Sequence, residues 1–313
     1  MRVVVAGATG VIGSELCRQL SSAGHAVIGI TRTEPGARRL RERGADAVIA
    51  DVMNRDALLR ALDGVNADAV IHQATAISGV PVAHRDVYAT DALRDRGTAN
   101  LLAAARGLGA ERFVTQSFLF GYGYRDHGEA PVTEAAPFGL PEGTAFDPHL
   151  AAMRANEDQV LGADDLVGVS LRYGIFYGYE PSTLSLFTMA ERRLLVAPRR
   201  GGAVSFVHIA DAASAAVAAL RDGRAGQAYN IADDEPVGWA TYMDAIAAEV
   251  GRRKPWRIPN TLLRLAPYLA TLMTRCRLRL DTTKAHRDLD WRPRYSSIHA
   301  GLREAAALRR DDA

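Results

Sequence analysis

The stretch Arg2-Val3-Val4-Val5-Ala6-Gly7-Ala8-Thr9-Gly10-Val11-Ile12-Gly13 passes from a β-branched apolar run through three glycines into a helical pattern. Such a turn needs glycine where φ is positive and where the backbone must come close to a pyrophosphate. The helix that follows offers free N–H groups and a positive dipole to the anion. The spacing therefore predicts a strand, a phosphate-binding turn and a helix, with Gly7, Thr9, Gly10, Val11, Ile12 and Gly13 as cofactor-contacting positions. A glycine turn that serves helix packing alone is the competing reading.

Outward from this turn, short apolar runs at 2–6, 26–30, 46–50, 69–72, 112–117 and 167–172 alternate with helical patterns near 11–24, 36–43, 54–62, 86–108 and 148–163. That alternation predicts an α/β fold, a Rossmann-type doubly wound parallel sheet. After Arg172 the pattern changes, and 204–231 returns to it with a strand at Ser205–His208, a helix at Ile209–Leu220 and a strand at Ala228–Ile231. The expected division is a dinucleotide-binding domain of 1–173 and 204–231, with a smaller, interleaved substrate domain of 174–203 and 232–313. The Gly-, Pro- and Ala-rich segment 121–146 reads as a long loop over the mouth of a site.

A chain of 313 residues that is 48% hydrophobic can bury a large core, which excludes small disulfide or metal scaffolds, and no metal site is expected. Its 38 basic and 36 acidic residues are spread along the chain, so no nucleic-acid footprint is expected. Cys17 and Cys276 read as separate buried thiols in a reducing, cytoplasmic compartment. The opening strand leaves no room for a signal peptide. The apolar stretch Thr261–Met273 contains Arg264 and Pro267 and falls short of the roughly 20 residues of a membrane span, so a packed helix and no membrane partner are expected. A monomer or homodimer is expected. Lysine occurs only at 254 and 284.

Strand two ends in Ile30-Thr31-Arg32-Thr33, with no carboxylate before Glu34 to accept from free ribose hydroxyls. Arg32, with Arg38 or Arg39, can pair with a 2′-phosphate, which predicts NADP(H) in preference to NAD(H). A merely solvated Arg32 is the alternative. Asp51 and Val52 stand where a carboxylate can accept from an adenine amine, or where Asp51 can cap the next helix. Gln73, Ala74 and Thr75 form the sheet edge under the cofactor, and His72 reads as a core histidine.

Gly7–Gly13, Arg96–Leu102, Leu171–Gly178, Ser205–Ala213, Tyr229–Ile231 and Leu289–Pro293, taken in order, resemble the extended short-chain dehydrogenase/reductase superfamily. This NAD-dependent epimerase/dehydratase group includes nucleotide-sugar epimerases and dehydratases. The resemblance implies an NAD(P)-dependent oxidoreductase with Tyr173 and Gly174 beside the nicotinamide. It also implies a Tyr and Lys four residues apart and a Ser or Thr after strand five, and here the chain departs. His149 and Met153 fall at the dyad positions, and none of the ten tyrosines has lysine four residues later. Ser117 lies beside the serine position and Phe118 on it; Ser117 either meets a substrate oxygen or satisfies strand-end backbone. Asp147 as N-cap and Pro148 start a helix whose first turn carries His149 near the mouth, as a proton donor or as a plain polar residue.

An intact cofactor site without a protein acid predicts an NAD(P)H-dependent ketoreductase whose ketone substrate brings its own proton. A phenol beside the carbonyl, as in hydroxylated aromatic polyketides, meets that need. Phe118, Phe120 and Tyr122, with Tyr124, would face the flat rings. The resemblance here extends to antibiotic-pathway ketoreductases acting on angucyclinones. The alternatives are a nucleotide-sugar epimerase or dehydratase, which needs a strong base, and a non-catalytic NAD(P)-binding regulatory protein.

Overall fold

Seven strands, all paired in parallel, form the central sheet of the computed structural model, which describes residues 1–77 and 79–312 apart from the side chain of Arg264. They are β1 (Arg2–Ala6), β2 (Ala26–Thr31), β3 (Asp46–Ile49), β4 (Ala69–His72), β5 (Arg112–Phe118), β6 (Val167–Tyr173) and the edge strand Gln227–Ile231. Their order is Gln227–Ile231, β6, β5, β4, β1, β2, β3. The winding direction therefore reverses between β1 and β4, and the crevice at their carboxyl ends is where doubly wound sheets bind ligands. β1 and β4 are buried almost without alternation because helices cover both faces.

On one face, helix α1 (Val11–Ser22) sets Leu16, Cys17 and Leu20 against the alanine-rich helix Ile209–Asp222. The alanines let the two helices approach closely, and Gln19 Nε2 donates to the Ala210 carbonyl at 2.9 Å. On the other face Leu58, Leu101, Leu102, Phe113 and Val160 form a second core. Beyond the sheet, Phe187, Trp239, Tyr242, Ile246 and Leu302 build a third.

Three expectations need correction. The helix expected at 86–108 is a composite: a 3₁₀ turn at His84–Asp86, an α-helix at Tyr88–Ala92, a π turn at Leu93–Gly97 and an α-helix at Thr98–Gly107. Thr98 Oγ1 donates to the Arg94 carbonyl at 2.7 Å and accepts from Asn156, which holds the wide turn in place. Asp147 is not the cap of the helix Asp147–Leu161; its carboxylate accepts instead from the amides of Glu142, Gly143 and Thr144. The segment 121–146 does not cover the crevice. It is tied to 276–281 through His127 N to Arg277 O and Val132 N to Arg279 O.

Asp233 is buried beside Phe206, where its amide donates to that carbonyl at 2.7 Å. Burial pushes its carboxyl up to about 9, with Asp234, Glu235 and Asp211 acting in the same direction. The folded protein thus keeps the acid neutral while the unfolded chain ionises near pH 4, so this site costs more stability as pH rises from about 4 towards 9. Asp233→Asn removes that cost. Its stability gain over the parent, read by urea unfolding, is expected to grow from pH 5 to pH 8 by up to about 1 kcal/mol per pH unit; a gain constant with pH contradicts this.

Candidate functional site

The crevice opens into a cleft of about 720 Å³. Gly7, Thr9, Gly10, Val11, Ile12 and Gly13 all line it. Gly7 has φ +83°, and a Cβ there would lie 2.6 Å from the Gln73 backbone. At Gly13 a Cβ would lie 2.0 Å from the Gly7 carbonyl oxygen. α1 starts at Gly10 with no side-chain cap and no acidic residue in its first turn, so its first amides are left for an anion.

Towards the outer strands Arg32, Asp51 and Val52 line the cleft. Arg32 is exposed, without a side-chain partner among the described residues. Helix α2 (Glu34–Glu42) begins directly after it, because Thr33 Oγ1 accepts from the Gly36 amide at 3.2 Å. Asp51 Oδ1 accepts from the Met53 amide at 2.9 Å, while the cap of α3 (Arg55–Ala61) is Asn54, which accepts from Ala57.

Gln73, Ala74 and Thr75 line the middle. Beneath them His72 Nδ1 accepts from the Ala74 amide and its Nε2–H donates to the Leu93 carbonyl; burial lowers its pKa to about 4, which keeps it neutral. Tyr173 and Gly174 stand behind the wall. The Tyr173 hydroxyl accepts from Gln73 Nε2 and donates to the Ala212 carbonyl at 3.0 Å. A Cβ on Gly174 would lie 2.7 Å from the Ser205 oxygen, so glycine there lets Ile175–Tyr177 pair with Phe206–His208. Ile175 and Phe176 face the cleft instead.

The proposed chemistry-bearing residues are placed differently from expectation. On β5 it is Gln116 and Phe118 that line the cleft, and Ser117, between them, points to the other side of the sheet, buried and away from it. His149 is 0% exposed. Its Nδ1–H donates to Asp91 Oδ2 at 2.5 Å, and its Nε2 faces His84 Nδ1 at 2.9 Å. A carboxylate only accepts, so it is the His149 ring that donates in the contact with Asp91. Phe146 and Tyr268 close around its ring. Phe120 and Tyr122 are core residues as well. Phe120 stacks on Tyr124 at 4.8 Å, and the Tyr122 hydroxyl donates to Asn230 at 2.8 Å with Arg172 over its ring. Of the aromatic cluster, Phe118 alone lines the cleft.

The opposite wall was missed from the sequence. Trp239, Tyr242 and Met243 supply part of it, and Tyr268, Leu269, Leu272 and Met273 present one helical face of Pro267–Thr274 to it. That helix lies in the apolar stretch Thr261–Met273, whose periodicity was the available signal. Glu180, also in the wall, caps the helix Pro181–Glu191 by accepting from the Ser182 and Thr183 amides.

Neither lysine reaches the cleft. Lys254 pairs with Asp244, and Lys284 Nζ donates to Gln227 and Ala228. The two tyrosines in the wall, Tyr242 and Tyr268, have their pKa values raised by burial. Both cysteines are buried and free, with thiols pushed up to about 12 by burial. Among the described residues no group of three His, Cys, Asp or Glu could hold a metal, and no helix is long and apolar enough to cross a membrane.

A nicotinamide dinucleotide fits these residues: a cradle that admits no Cβ, uncapped amides at α1, and a cleft running along the sheet crest from Arg32 to Phe176. The chain is 33% identical over 311 residues to the 3-diazoavenalumate denitrifying reductase of a Streptomyces species, covering 96% of this chain and 99% of that protein. It is 31% identical over 264 residues to the 2-alkyl-3-oxoalkanoate reductase of Stenotrophomonas maltophilia, covering 80% of this chain and 76% of that one. The structure of a Thermus thermophilus UDP-glucose 4-epimerase complex with NAD superimposes with a TM-score of 0.79 at 25% identity over all of both chains. Residues 3–232 match the NAD dependent epimerase/dehydratase family. The glycine cradle, the winding of the sheet and this match agree: the chain is a member of that family, of the reductase type.

Proposed function

We propose that this protein is an NADPH-dependent reductase of a flat, hydroxylated aromatic ketone that supplies its own proton. The observation that carries the reading is the combination of a cofactor cradle with a wall that, among the described residues, holds no lysine and no tyrosine of lowered pKa. The dinucleotide, when bound, supplies a hydride. Gly7–Gly13 and the α1 amides would hold its pyrophosphate, Gln73–Thr75 would line its path, and Arg32 would hold the 2′-phosphate. Phe118, Phe176, Trp239 and Tyr268 give the acceptor flat apolar walls.

A ketone that takes up a hydride becomes an alkoxide and needs one proton. A phenol already hydrogen-bonded to the carbonyl provides it without reorganisation, on the scale of the roughly hundred- to ten-thousandfold that an enzyme acid contributes. The similarity to an oxoalkanoate reductase supports a carbonyl acceptor. A second reading is favoured by the near full-length similarity to a denitrifying reductase. An aryl diazonium ion that takes up a hydride gives the arene and N₂ and needs no proton, which suits the same wall.

Two measurements test this reading. A peri-hydroxy aromatic ketone is expected to oxidise NADPH at least about tenfold faster than its O-methyl ether at saturation. Equal rates would mean that the proton comes from the protein, and N₂ release from an ortho-hydroxy aryl diazonium salt without ketone turnover would favour the second reading. For the cofactor, a charge-assisted contact is worth about 1.5 to 3 kcal/mol, or about ten- to a hundredfold. Arg32→Ala is expected to weaken NADPH by that factor and leave NADH within about twofold, in calorimetric titrations; equal affinities for both in the parent protein contradict the assignment.

A further inference from the structure

Four charged residues line the cleft among those described: Arg32, Asp51, Arg94 and Glu180. Arg32 and Asp51 follow β2 and β3 at the outer strands, and Glu180 is engaged in capping a helix. Arg94 has no such duty. It sits in the π turn Leu93–Gly97, is only 9% exposed, and shares the cleft wall with Val87, Leu93 and Tyr268. Inserted π turns recur at functional sites because they turn a side chain out of the regular helical register.

A guanidinium carries five N–H donors. Arg94 uses one of them, Nη1 to Asp91 Oδ1, at 3.5 Å, beyond the 2.7–3.2 Å of an ordinary N–H···O bond. Asp91 is drawn away from it: its other oxygen accepts from His149 at 2.5 Å, and His149 is backed in turn by His84 at 2.9 Å. The buried His149 and the half-buried His84 thereby hold the carboxylate that faces the arginine at 3.5 Å, which gives that pair a positioning role in place of proton donation. The backbone of the turn is held by Thr98 Oγ1, itself held by Asn156. The remaining donors have no protein partner among the described residues and open onto the cleft, where a ligand can complete them. The surrounding wall is apolar and aromatic, so the missing partner is an anionic oxygen carried on a flat ligand.

We propose that Arg94 is the substrate-binding residue that recognises an anionic oxygen on the aromatic acceptor: a carboxylate that the acceptor carries, or the phenolate left once its phenol has given up the proton. This rests on the aromatic-reductase reading and adds to it the charge of the substrate. A phenol that gives up its proton beside Arg94 is left as a phenolate with a cation at hand, so the same contact would favour the acid form of chemistry assigned to the substrate.

Binding can be measured without turnover, which separates failure of this proposal from failure of the reductase reading. The protein, saturated with the oxidised dinucleotide, is titrated calorimetrically with 4-nitrophenolate and 4-nitrobenzoate, and with 4-nitroanisole and methyl 4-nitrobenzoate as their neutral counterparts. At least one anion is expected to bind about tenfold or more tightly than its neutral counterpart, and the anion that does so identifies the source of the oxygen. In Arg94→Gln that preference should fall to within about twofold, while Arg94→Lys keeps part of it. Cofactor affinity in both variants reports that they are folded. No preference for either anion in the parent protein, or a preference that survives in Arg94→Gln, overturns the proposal.

Discussion

The contact between the start of α1 and the crest of the sheet is the constraint on which the rest depends. A Cβ at Gly13 would sit 2.0 Å from the Gly7 oxygen, and one at Gly7 would meet the backbone of Gln73 at 2.6 Å. No side chain larger than hydrogen fits either place without moving α1 off β1 and β4. Because the contact is so close, the uncapped amides of α1 lie directly over the switch point between those strands, and Arg32, Asp51, Val52 and Gln73–Thr75 are arranged along the same crest. The alanine face of Ile209–Asp222 serves the same end from behind, letting α1 lie flat on the sheet.

What was legible in the sequence is what is local. The cradle, Arg32, Asp51–Val52 and Gln73–Thr75 follow their strands immediately, and each lines the cleft. On β5 the sequence put Phe118 on the serine position, and Phe118 lines the cleft with Gln116. Ser117, offered as a contact to a substrate oxygen, lies on the other face because side chains on a strand alternate. His149 was placed on the right turn of the right helix, but what buries it comes from His84, Phe146 and Tyr268, two of them far away in sequence. The wall formed by Trp239–Met243 and Tyr268–Met273 is likewise a product of tertiary packing, and only its apolar periodicity was visible beforehand. Arg94 was hidden because a π turn shifts its register within what reads as one continuous helix.

The polar groups near the acceptor end share one property: each is held in one state or one position. His72 is kept neutral by burial, and Tyr268 is held protonated. Asp91 is fixed between His149 and Arg94. Such a wall can bind and orient a ligand, and the proposal that the substrate supplies the proton is built on it.

The central claim is that the Gly7–Gly13 turn binds a dinucleotide pyrophosphate on the bare amides of α1. Gly10→Asp tests it most directly. Gly10 has an extended φ of −75° and is exposed, and aspartate is a favoured N-cap, typically worth about 1 kcal/mol to a helix. A Cβ there would lie 3.2 Å from the Gly7 oxygen, a tight contact that the cap offsets, so the substitution should leave the protein folded while its carboxylate takes the amides and repels the phosphates. Calorimetric titration with NADPH is predicted to show one site per chain in the parent protein and a loss of about a hundredfold or more in the variant. A stable Gly10→Asp protein that binds NADPH as tightly as the parent would contradict the account.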